Sequence, residues 1–131
     1  MLAERFRTVL ETGGARDAVT ALYAPDALLD ANVPLWRFQR KGVEEILAQY
    51  ADWYAEGPPV VEEIREWAAD WGSVVEESAR GVEDGQPTYS RSLHVFIVEE
   101  GRVVRHVMYC TGQWDTATEA RQRVEAPMVE P

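Results

Sequence analysis

The hydrophobic pattern changes period partway along the chain, and the change separates helices from strands. Leu2, Phe6, Val9 and Leu10 recur at helical spacing, predicting a helix over 2–12 that Gly13-Gly14 stops. A second short helix over 15–23 would bury Ala18, Leu22 and Tyr23 before Pro25 ends it. From Ala27 to Val33 the chain alternates like a strand: Ala27, Leu29, Ala31 and Val33 share one face, and Leu28, Asp30 and Asn32 the other. Residues 34–42 read as a connection with at most a short extended piece. Over 43–56 the helical period returns in Val43, Ile46, Leu47, Tyr50 and Trp53/Tyr54, and Gly57-Pro58-Pro59 ends it.

From Val60 onward the period is two. Strands are predicted over 60–71 and 74–80, turning at Gly72-Ser73, with a polar turn near Glu83–Pro87. A long hairpin follows in Tyr89–Asp115, and Thr116-Ala117-Thr118-Glu119 resembles a capping box that opens a short terminal helix. The order is helix, helix, strand, helix, then a meander of strands. That pattern predicts an α+β fold, one domain over 1–131, with helices gathered on one side of a curved sheet. Leu93, Val95 and Ile97 alternate with His94, Phe96 and Val98, so both sheet faces need cover. Helices shield one face, and a second subunit is expected on the other, making a homodimer.

The hairpin carries the chain's two histidines, His94 and His106, on runs flanking Glu99-Glu100-Gly101. A three-residue loop, a type I turn closed by Gly101 in the left-handed region, is the expected connection. It sets Val98 opposite Arg102 and His94 opposite His106. A two-residue turn on Glu100-Gly101 would slip the pairing by one and put the histidines on opposite faces.

Charge and composition narrow the function classes. With 13 Lys and Arg against 23 Asp and Glu the formal charge is −10, which disfavours nucleic acid and anionic membrane as partners. Cys110 is the sole cysteine, so no intrachain disulfide is possible. No signal peptide or membrane-length apolar run is evident, and a cytoplasmic protein is expected. There is no GxGxxG, P-loop or metal motif, so no cofactor and no metal are expected.

At this point the chain resembles the nuclear-transport-factor-2-like (NTF2-like) superfamily, in particular its SnoaL-like branch of polyketide-cyclase-like and ketosteroid-isomerase-like proteins. The pieces that carry the resemblance are LYAPDALLD at 22–30, the helix start Gly42–Ile46, LHVFIVEEGRVVRHVMYCTGQWD at 93–115 and APM at 126–128. It implies a cone of three N-terminal helices on a strongly curved mixed or antiparallel sheet, a deep apolar pocket for a small molecule, and commonly a homodimer through the outer sheet face. The branch includes cyclases, isomerases and dehydratases as well as non-catalytic binders, so fold alone does not choose among them.

The resemblance places His94 where isomerase-like relatives keep a pocket acid, and an imidazole there can donate to a carbonyl or take a proton near neutral pH. His106, if opposite, would tune it, because two close histidines resist double protonation. Asp30 is a third catalytic candidate, although it lies one residue from the position, here Ala31, that matches the relatives' carboxylate. Phe6 stands where those relatives carry a phenol. Trp36, Tyr54, Phe96, Met108, Cys110 and Trp114 are the expected ligand-contacting residues, through apolar bodies with few polar edges. Glu76 on a middle strand is a possible buried carboxylate. The expected activity is acid–base chemistry of cyclase, isomerase or dehydratase type on an apolar cyclic metabolite, and the alternative is a binding or accessory protein without chemistry.

Overall fold

The computed structural model describes residues 1–130; Pro131, the last residue of the expected domain, lies outside the described residues. The chain runs α1 (Leu2–Glu11), α2 (Arg16–Leu22), β1 (Tyr23–Val33), β2 (Trp36–Lys41), α3 (Val43–Trp53), β3 (Val60–Ala69), β4 (Gly72–Glu83), β5 (Gln86–Glu99), β6 (Arg102–Cys110), β7 (Trp114–Asp115) and α4 (Thr116–Glu125). One mixed sheet orders its strands β2-β1-β6-β5-β4-β3, with β7 also paired to β5. β1 and β6 are parallel and the remaining pairs antiparallel. After α3 the chain starts at the far edge with β3, and the meander brings β6 back beside β1.

The connection expected over 34–42 is instead β2, an edge strand hairpinned onto β1 with Val33 opposite Trp36. Trp36-Arg37-Phe38-Gln39-Arg40-Lys41 shows only two alternating apolar positions, Trp36 and Phe38, because an edge strand with one solvated face needs little apolar surface. The turn between β3 and β4 falls at Asp70-Trp71, and Gly72 already pairs with Ala69. α4 opens one residue before the expected capping box, with Asp115 accepting from the Thr118 amide at 2.7 Å.

α1 and α3 lie over the concave face, and Phe6, Val9, Leu22, Leu29, Ile46, Val75, Phe96 and Val103 form a fully buried core beneath them. The α1–α2 turn brings Gly14 against α3. Its φ is +81°, and a Cβ there would lie 2.3 Å from Tyr50 Cβ, so glycine alone allows this approach. That contact fixes where Tyr50 points.

The β5–β6 hairpin differs from its expected register. Glu99 pairs with Arg102, leaving a two-residue turn in which Glu100 and Gly101 have φ of +52° and +80°. These angles are those of a type I′ turn, whose twist matches the flanking strands. The anticipated slip to opposite faces does not follow, because Val98 pairs with Val103 and Ile97 with Arg105, leaving Val104 as an extra residue in a bulge. Phe96 then faces His106, and His94 faces Met108. The histidines are diagonal neighbours on the concave face, not a directly opposed pair.

Candidate functional site

Between the helices and the sheet lies a cavity of about 430 Å³. α3 contributes Tyr50 and its C-cap Tyr54, β4 contributes Glu77, β5 His94, and β6 His106 and Met108. Glu77 reaches the cavity because β4 turns Ser73, Val75, Glu77 and Ala79 inward, and β4–β5 pairing sets Val75 beside His94 and Glu77 beside Ser92.

Polar groups at the deep end form one continuous chain. Tyr50 Oη lies 2.7 Å from Tyr23 Oη, which lies 2.7 Å from His106 Nδ1. His106 Nε2 is 2.7 Å from His94 Nδ1, and His94 Nε2 is 3.2 Å from Glu77 Oε1. Every member is buried, and Phe6 packs edge-on against both imidazoles. Glu77 Oε2 is buried with no partner.

Burial controls the charge states along this chain. It pushes the Tyr23 and Tyr50 phenols above their ordinary range, so both stay protonated hydroxyls. Burial, and then the neighbouring His94, hold His106 well below the usual histidine value, so its ring is neutral. A neutral ring has one N–H, so His106 donates through one nitrogen and accepts at the other. With Glu77 as carboxylate, His94 Nε2–H donates to it, His106 Nε2–H donates to His94 Nδ1, and the Tyr23 hydroxyl donates to His106 Nδ1. Tyr50 then donates to Tyr23. All four imidazole nitrogens are engaged in these bonds.

The SnoaL-like domain model matches residues 3–106. The chain belongs to the SnoaL-like domain family. No curated protein matches it. Among solved structures, an NTF2-like protein from Anabaena variabilis superposes with a TM-score of 0.65 at 19% identity, covering 83% of each chain. A polyketide cyclase candidate from Pseudomonas putida gives 0.65 at 16% identity over 92% of this chain and 94% of that one. An isomerase candidate from Bacillus subtilis gives 0.65 at 14% over 84% of each. At these identities the likeness establishes the NTF2-like fold: helices on a curved, open, mixed sheet.

Within this SnoaL-like domain the expected site residues divide. His94, His106, Tyr54, Met108 and Cys110 line the cavity. Asp30 does not. Its side chain faces the outer side of β1, where Arg37 binds it at 2.9 and 2.6 Å and Arg105 at 3.5 Å. The Arg37 hydrogen bond holds its carboxyl below the usual range, which suits a structural anion. Trp36 is 70% exposed on the edge hairpin. Trp114 packs on Tyr89 at the β5–β7 contact, and Phe96 is core, stacked against His94 and tilted against His106; none of these three lines the cavity.

Glu77, Tyr50 and Tyr23 are the groups that sequence reasoning missed. Glu76 drew attention instead, but it is the neighbouring position, Glu77, that shares the inward face with Val75 and Ala79. That alternation was available as a signal, since a lone carboxylate on an otherwise apolar or small strand face marks a buried acid. An apolar-face tyrosine shows no sign in the sequence of where its hydroxyl ends, so nothing there links Tyr23 and Tyr50 to the histidines. Among the described residues no helix is long and apolar enough to cross a membrane.

Proposed function

We propose that this SnoaL-like domain is an acid–base catalyst for a cyclic carbonyl compound, of isomerase, cyclase or dehydratase type, with Glu77 as the group that exchanges the proton. One observation carries this reading: Glu77 stands at the cavity wall with one oxygen anchored by His94 and the other unpartnered. His94 itself has both ring nitrogens engaged, so it acts by orienting Glu77 rather than by meeting the ligand. His106, held neutral, fixes the tautomer of His94 in turn, and Tyr23 fixes that of His106. This parallels the general arrangement in which a base is oriented by a second group behind it.

A wall that mixes apolar side chains such as Leu10, Trp53 and Met108 with small hydroxyls, together with the polar deep end, suits a ring body bearing a carbonyl. The outer sheet face keeps Trp67, Tyr109 and Leu93 exposed at 53, 55 and 39%. A second copy of the chain covering that face is part of the same reading.

The test is exchange of the α-protons of a fused-ring ketone, 2-tetralone, with deuterated water, followed by NMR. The protein should accelerate exchange, Glu77→Gln should lower the rate ~100-fold or more, and His94→Gln should lower it less. Undiminished exchange by Glu77→Gln would remove the assignment. Tight binding of the ketone without any exchange would instead identify a carrier.

A further inference from the structure

Away from Glu77 and His94 the cavity wall has a second polar feature. Thr88 is 94% buried by virtue of its 6% exposure, lines the cavity, and its Oγ1 has no hydrogen-bond partner. Directly opposite on β4 stands Gly81, which also lines the cavity. A Cβ at Gly81 would meet Thr88 Oγ1 at 3.6 Å, an ordinary contact, so the missing side chain leaves a notch beside the hydroxyl. The backbone of Gly81 is not in the left-handed region, so its conformation does not require glycine. What the glycine supplies is space.

The notch and the acid–base end are joined by one strip of wall. Gly81 pairs with Thr88, Ala79 with Ser90 and Glu77 with Ser92, so three small hydroxylated side chains alternate inward along β5 toward His94. Thr88, Ser90 and Ser92 occupy cavity-facing positions of a central strand, where valine or alanine would avoid burying a polar atom. Four residues of strand from Glu77 to Gly81 span about 13 Å. A ligand that touches Glu77 and also fills the notch is therefore elongated.

Resting on the reading of this cavity as a ligand site, we propose that Thr88 and Gly81 form a recognition subsite for a hydroxyl or carbonyl oxygen at the far end of the ligand. Such a ligand has two or more fused or para-linked rings, with one oxygen function at Glu77 and another at Thr88. The subsite is a specificity determinant. Its hydroxyl supplies or accepts the hydrogen bond that the empty notch leaves unmade, and Gly81 admits the ligand's edge.

Two rigid probes test this, biphenyl-4,4′-diol and biphenyl-4-ol, titrated by fluorescence or calorimetry. The protein should bind the diol about tenfold more tightly than the mono-ol, the worth of one well-placed hydrogen bond. Thr88→Val, which keeps the shape and removes the hydroxyl, should bring the ratio near one by weakening the diol. Gly81→Ala should do the same by filling the notch, and it needs no strained backbone. Equal affinities in the unmodified protein, or a preference that survives both substitutions, would overturn the subsite alone. Binding of neither probe would overturn the ligand-site reading and the subsite with it.

Discussion

His94 Nδ1 and His106 Nε2 lie 2.7 Å apart, although the two residues are not partners in the β5–β6 ladder. The contact exists because a two-residue turn and a one-residue bulge act together. The turn alone would have put the imidazoles on opposite faces, and the extra residue at Val104 returns His106 to the concave side. The pair then serves as the middle of a buried chain whose end, Glu77, meets the cavity.

The neighbours Glu76 and Glu77 should separate cleanly. Glu77→Gln is expected to abolish most acid–base activity, whereas Glu76→Gln, on the opposite strand face, should leave it within about twofold. Rates of α-proton exchange for the two variants provide the comparison. Equal losses would mean that the β4 register is wrong.

Acid should weaken the fold through His106. Its folded-state pKa is held well below the ordinary histidine value, so below about pH 6.5 the unfolded chain binds a proton that the native ring refuses. Stability therefore falls as pH drops from that value toward the depressed native one, at up to ~1.4 kcal/mol per pH unit for one group. Urea unfolding between pH 7 and 5.5, paired with ring NMR shifts, reads both. An imidazolium at position 106 in the native protein at pH 6 would contradict the burial argument.

Gly14→Ala should be costly out of proportion to its size. It puts a side chain at φ of +81° and a Cβ at 2.3 Å from Tyr50 Cβ. A loss of roughly 1–3 kcal/mol is expected. Because α3 must shift, the Tyr50–Tyr23 hydrogen bond should be disturbed as well. Thermal unfolding together with the near-ultraviolet circular dichroism of the tyrosines would show both effects.

The outer sheet face offers a direct test of self-association. Tyr109→Glu combined with Leu93→Lys places charges on the exposed apolar face of neighbouring, directly paired strand positions. Sedimentation should show a dimer for the unmodified chain and a monomer for the double variant, with the cavity intact. A monomer in both cases would retire the proposed dimer.

Periodicity along the chain determined a good deal by itself. The helices near 2–12, 15–23 and 43–56, the strand ending at Val33 and the switch to alternation at Val60 all follow from apolar spacing, because burying one face imposes a period that the sequence must display. The same logic placed His94 and His106 in one hairpin and Met108 and Cys110 on its cavity side. Edge strand β2 escaped detection because a solvated edge imposes no such period.

Tertiary structure decided what the polar groups do. Whether His94 and His106 meet depended on Val104, a residue with no distinguishing chemistry, because face selection has a period of two and one bulge reverses it. Asp30 and Glu77 are both buried carboxylates, but Asp30 is claimed by Arg37 and Arg105 while Glu77 retains a free oxygen. Tyr23 and Tyr50 lie 27 residues apart, and their hydroxyls meet because Gly14 lets α3 close over the sheet. Local spacing encodes which face of an element is buried; the partner found there is set by the packing of elements distant in sequence.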